Sequence, residues 1–110
     1  MNNTIAIDFD GTIHKYSKGW HDGSIYDTPI EGCFEALNQL WKDGYEIVIY
    51  TCRANSKECL SDLFKWMYAW QDELQLPFVF TVTSQKPVAK CYIDDRGIRF
   101  TNWKDMLAYF

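Results

Sequence analysis

Thr4-Ile5-Ala6-Ile7-Asp8-Phe9-Asp10-Gly11-Thr12 is the stretch on which the fold turns. A short run rich in Ile, Thr4 to Phe9, ends in acidic residues and glycine. That is the form of a buried strand delivering polar groups at its carboxyl end. Two acids one residue apart point different ways while the chain is extended, yet both reach one substrate if the chain turns, and Gly11 permits the turn. Thr12 is then placed to satisfy loop backbone or to hold Asp10 through its hydroxyl.

Outward from this strand, residues 13–28 lose periodicity and mix Gly19 and Gly23 with Ser, Lys, His, Tyr and Trp, the composition of a long flap. Thr28-Pro29-Ile30-Glu31 then offers a cap, a proline at the first helical position and a capping-box acid, which predicts a helix start. Cys33, Phe34, Leu37, Leu40 and Trp41 follow at helical spacing, and Gly44 sits where a left-handed cap is needed. A second strand runs from Tyr45 to Tyr50 and ends at Thr51. A second helix begins near Asn55 or Ser56, with Leu60, Leu63, Met67, Trp70 and Leu74 as its core stripe and Phe64, Trp66 and Tyr68 widening the apolar surface. Pro77 precedes a third strand, Phe78 to Val82; Val88 to Asp94 holds a fourth; Asn102 caps a terminal helix through Phe110. Strands alternating with helices predict a single α/β domain, a three-layer sandwich with a mostly parallel, Rossmann-like sheet. Chemistry in such sheets gathers at the carboxyl ends of the strands.

The chain has 110 residues and 13.0 kDa, enough for one domain. Area scaling gives such a chain a folded surface of roughly 6,300 Å² out of roughly 19,000 Å² when extended. A hydrophobic fraction of 47% excludes disorder, and no apolar run approaches the length of a membrane helix. A formal charge of -4 argues against general nucleic-acid affinity, leaving only a local basic patch as a route to phosphates. Cys33, Cys52, Cys59 and Cys91 show no metal-ligand spacing and read as small buried apolar residues. Acids stand where a signal peptide needs an apolar stretch, so the expected location is a reducing cytoplasm. The aromatic fraction of 17% gives a small core large contact areas and leaves a homo-oligomer open.

Asp94-Asp95 closes the fourth strand, so at least three carboxylates meet at one sheet edge. They repel one another unless a cation is present, and hard oxygen ligands without His or Cys favour Mg²⁺. Lys86 offers a charge to offset a nucleophilic carboxylate and an incoming phosphate. Lys90 is the competitor, but four strand residues place it roughly 13 Å behind Asp94.

DFDGT at 8–12, the apolar strand ending in Thr51, Lys86, and YIDD at 92–95 together resemble the haloacid dehalogenase (HAD) superfamily of aspartate-nucleophile phosphohydrolases. KPVAKCYIDDR further resembles small members in which a Lys-Pro pair leads directly into the acidic strand. Larger members place a helix there, whereas only seven residues separate Lys86 from Asp94. The resemblance implies a capless HAD-like fold in which Asp8 attacks phosphorus and Asp10 protonates the leaving oxygen and then activates water. It implies Mg²⁺ held by Asp8, the Asp10 carbonyl and Asp94, with Asp95 assisting, and phosphoryl oxygens bound by Thr51 and Lys86. The flap is too short for a cap domain, so the expected partner is a phosphorylated small molecule or a macromolecular phosphate end.

Arg53 and Arg96 flank the motifs and either touch substrate or form structural salt bridges. In the flap, His14, Lys15, Lys18, Trp20 and His21 are candidates to select the leaving group, Trp20 by stacking, and Thr12 completes the candidate substrate contacts. A receiver-type phosphoacceptor domain uses the same residue types in the opposite motif order. A catalytically idle scaffold is the other alternative.

Overall fold

The structure, a computed structural model, describes residues 2–110. Four strands, β1 (Thr4–Ile7), β2 (Glu46–Tyr50), β3 (Phe80–Thr83) and β4 (Cys91–Ile93), form one sheet in the order β3-β2-β1-β4 with every pair parallel. The helices are α1 (Cys33–Lys42), α2 (Lys57–Leu74) and α3 (Trp103–Leu107).

Register assigns the faces. Ile5 pairs with Ile47 and Cys91, Ile7 with Ile49 and Ile93, and Ile47 with Phe80, so these residues share one side of the sheet. The core joins Ile5, Ile7, Ile47, Ile49 and Phe80 to Phe34 and Leu37 of α1 and Leu63 and Met67 of α2. Both long helices therefore pack on the same face. The topology requires it: β1 to β2 to β3 steps twice in one direction, and right-handed crossovers put both connecting helices on one side. Ala6 and Val48 are buried on the other face, outside that cluster.

The step from β3 back to β4 crosses β2 and β1 in residues 84–90, without a helix. About seven residues reach roughly 24 Å, which spans three strand spacings of about 4.8 Å with length to spare. β4 is an edge strand, and Cys91, Tyr92 and Ile93 are all exposed.

The predicted helix start at Thr28 is corrected. α1 begins at Cys33, capped by Gly32 without a side-chain bond. The backbone upstream is engaged elsewhere, because Lys15 donates to the Thr28 carbonyl (2.9 Å) and Ile30 to that of Ile13 (2.8 Å), closing the flap at its base. Ser56 does cap α2, its hydroxyl accepting from the Cys59 N–H at 3.3 Å, and Asn102 caps α3 through the Asp105 N–H at 2.9 Å. α3 ends at Leu107, short of Phe110. Within the predicted stripe of α2, Leu63 and Met67 are buried, while Leu74 is exposed. Trp66 and Phe64 are packing residues: Trp66 meets Phe9 and Phe34 edge-on, and Phe64 stacks on Phe80. The cysteines split, with Cys33 pushed up to about 11 by burial while Cys52 and Cys91 are exposed, against the expectation that all are buried.

Candidate active site

β1 lies between β2, which continues to β3, and β4, to which the chain returns from the far edge. The strand order thus reverses at β1, and ligands of open parallel sheets bind at such a point, beyond the carboxyl ends. Asp8 is the first residue past β1. Its N–H donates to the Ile93 carbonyl (2.9 Å), which ties it to β4, and its Oδ1 accepts the Phe9 N–H (2.8 Å). Among the described residues Oδ2 has no protein partner. Burial pushes the Asp8 carboxyl above the ordinary carboxylate range; the Phe9 N–H opposes this, and the charges of Asp95, Asp10 and Asp94 add to it.

Gly11 takes φ +85, as the turn requires, and any Cβ there would collide with the Asp95 carboxylate. The Asp95 carboxylate thus lies directly against the DFDGT turn. Asp94 Oδ1 instead accepts the N–H groups of Arg96 (2.8 Å) and Gly97, and these bonds, with Lys86 contributing, hold its carboxyl low.

Asp10 is clamped. Arg53 Nε donates to Oδ2 at 2.8 Å and Nη2 to Oδ1 at 3.1 Å, while His14 Nδ1 lies 2.8 Å from Oδ1. His14 Nε2 accepts the Asp27 N–H (3.1 Å), so the proton on the neutral ring sits on Nδ1 and points at Asp10. Arg53 sends its third nitrogen, Nη1, to the Gly23 carbonyl (2.6 Å). One guanidinium therefore fixes both Asp10 and the flap.

These contacts correct several expectations. His14 is fully buried beneath the flap and cannot touch a leaving group. The Thr12 hydroxyl does not hold Asp10; Oγ1 is buried without a partner among the described residues. Of the two readings of Arg53, the salt bridge is present. Arg96 is exposed and makes no ion pair among the described residues.

Asp8, Asp10, Trp20, Gly23, Thr51, Cys52, Arg53 and Cys59 line a cavity of about 370 Å³. Thr51, buried at the end of β2, accepts the Arg53 N–H through Oγ1 at 3.2 Å. Lys86 lies on the β4 side, its Nζ 4.2 Å from the centre of the Tyr92 ring. Lys90 sits at the opposite end of the sheet, donating its N–H to Thr4 and placing Nζ over Tyr45. The site thus has a cavity side and an acidic β4 side, and Asp8 is common to both.

Asp27 is a residue the sequence reading did not single out. Oδ2 accepts the Ser17 N–H (3.0 Å) and hydroxyl (2.5 Å), Oδ1 the Thr28 N–H (2.9 Å), and the carbonyl the Trp66 Nε1–H (3.1 Å). The Asp-Thr-Pro sequence was the available signal, since Asp ahead of such a pair commonly bonds its own loop backbone.

Among the described residues no three His, Cys, Asp or Glu side chains are gathered closely enough to hold a metal ion by themselves. Mg²⁺ keeps several waters and needs only one or two carboxylates plus substrate phosphate. Asp8 Oδ2 and Asp95, with the Asp10 carbonyl, fit that requirement in their chemistry, and a cation would offset both the burial and the neighbouring carboxylates that raise Asp8. No family model matches this chain, and neither a curated protein nor a solved structure does.

Proposed function

We propose that the chain is a Mg²⁺-dependent phosphomonoesterase of the HAD type, working through an aspartyl-phosphate on Asp8. The observation that supports this best is Asp8 at the strand-order reversal, with a free Oδ2 beside a cavity that Thr51 also lines. Asp8 Oδ2 attacks phosphorus as the bond to the leaving oxygen breaks, and Asp10 supplies that oxygen's proton from an oxygen released by its clamp. Water then attacks the phosphorus of the intermediate, its proton passes to Asp10, and phosphate leaves with Asp8 restored. Thr51 and Lys86 bind the phosphoryl oxygens. Mg²⁺, held by Asp8, Asp94 or Asp95 and the Asp10 carbonyl, supplies charge neutralisation for the transferring group.

The chain would then be a minimal, capless HAD-like domain. The idle-scaffold alternative drew on aromatic surplus along α2, and packing accounts for Trp66 and Phe64. Asp8→Asn should abolish Mg²⁺-dependent release of phosphate from an aryl phosphate while the far-ultraviolet circular dichroism stays native. Undiminished turnover by the variant removes Asp8 as nucleophile; no turnover by the wild type removes the reading.

A further inference from the structure

The cavity beside Asp8 differs in character from the acidic β4 side. Apart from Asp8 and Asp10 at its floor, its walls are Trp20, Gly23, Cys52, Cys59, Thr51 and Arg53. Arg53 is 8% exposed, and all three of its nitrogens are engaged, two on Asp10 and one on the Gly23 carbonyl. Three of its five N–H donors are committed to these contacts, and the remaining two belong to a guanidinium that is almost wholly buried. The Thr51 hydroxyl is buried, accepts a backbone N–H, and keeps its own proton for the phosphoryl oxygen proposed above. What the walls offer a leaving group is chiefly apolar surface.

Trp20 is the one large apolar side chain among these walls. The indole is 73% exposed, on a flap whose other aromatics are turned inward: Tyr16 and Tyr26 pack on the buried His14. Gly23, at φ +87, lies under the edge of the indole; a Cβ there would stand 3.2 Å from Cη2. The same glycine's carbonyl is the one Arg53 holds. The indole thus stands over the glycine whose carbonyl Arg53 holds, on the same side of the site as Asp10, the proposed proton carrier. A volume of about 370 Å³ is at the small end of the range for ligand sites, which is roughly 300–1,000 Å³.

We infer that the substrate is a phosphate monoester whose leaving group carries a flat aromatic ring, bound in this cavity against Trp20, in preference to a polyhydroxy or doubly phosphorylated leaving group. This deepens the phosphohydrolase reading and rests on it. Stacking with an indole is directional and contributes beyond area burial, enough for about a tenfold preference.

The test compares benzyl phosphate with glycerol phosphate. Both release alcohols, so the comparison reads the ring rather than a difference between aryl and alkyl leaving groups. With Mg²⁺ present, the wild type is expected to favour benzyl phosphate about tenfold in kcat/KM. Trp20→Ala should bring that ratio close to one, chiefly through a raised KM for benzyl phosphate, and Trp20→Phe should restore most of it. A ratio near one in the wild type, or one that Trp20→Ala leaves intact, overturns the aromatic-ring inference while the phosphohydrolase reading stands. Release of phosphate from neither ester nor from an aryl phosphate overturns the reading itself, and the inference with it.

Discussion

At the scale of single residues, Asp8 combines burial with the repulsion of three neighbouring carboxylates. A carboxyl whose folded value lies above its unfolded value of 3.8 lowers stability as pH rises through that interval, and the cost persists at neutral pH. Asp8→Asn keeps the oxygen that accepts the Phe9 N–H and removes the charge. The variant should therefore melt above the wild type at pH 7, and the gap should close as pH falls below 3.8, where the group is neutral in both states. Mg²⁺ should narrow the same gap at pH 7 by stabilising only the wild type. Differential scanning calorimetry checks both expectations; a variant that melts lower at neutral pH contradicts them. The sequence made this residue legible because DFDGT and YIDD are local strings at strand ends. Arg53 and His14 were not legible in the same way. Their work on Asp10 depends on the flap folding back, and nothing within Cys52-Arg53-Ala54 distinguishes an internal clamp from a substrate contact.

Among the elements, the flap is organised by one side chain. Asp27 joins its two ends through Ser17 and Thr28, receives the Trp66 indole N–H on its carbonyl, and donates its own N–H to His14. The Ser17 hydroxyl and N–H, with the Thr28 N–H, lower the Asp27 carboxyl to about 2. Because the folded value is depressed, its contribution is complete above the unfolded value of 3.8 and is lost as pH falls towards about 2. Flap closure should be unchanged from neutral pH down to pH 4. Asp27→Ala should raise the rate of tryptic cleavage after the exposed Lys15 and Lys18 severalfold at pH 7; equal rates would show that Asp27 does not hold the flap. This is also where reading by element failed. Thr28-Pro29-Ile30-Glu31 satisfies every local rule for a helix start, and a helix would have formed there had the backbone of residues 28–30 not been taken by residues 13–15. Gly44 was read correctly, and the start expected at Asn55 or Ser56 falls at Ser56, because the N–H groups there bond nearby carbonyls, those of Trp41 and Arg53.

Taken whole, the molecule exposes 7626 Å², against roughly 6,300 Å² expected for its mass. Its radius of gyration is 14.9 Å, where about 13 Å is usual. The excess lies at the C-terminal end, where Phe100, Trp103, Leu107, Tyr109 and Phe110 are all more than half exposed. Replacing Trp103, Leu107 and Phe110 together by Ser should leave stability within about 0.5 kcal/mol, as surface substitutions do. The same change should abolish any concentration-dependent association seen by sedimentation, because apolar patches of this kind drive self-contact. A wild type that is monomeric at high concentration contradicts the second expectation. The parallel sheet was legible from alternating apolar runs. The one-sided placement of α1 and α2 was not, because it depends on strand order, which pattern alone does not give. That order has a last consequence for how the site comes into being. Among the described residues β4 pairs only with β1, a strand more than eighty residues earlier in the chain, and has no partner on its other side. Closing so distant a contact is entropically slow, and a three-residue edge strand is the first to fray. Asp94 and Asp95 therefore join Asp8 across the seam that the topology makes slowest to close and easiest to open, so the amide protons of β4 are expected to exchange faster than those of β2.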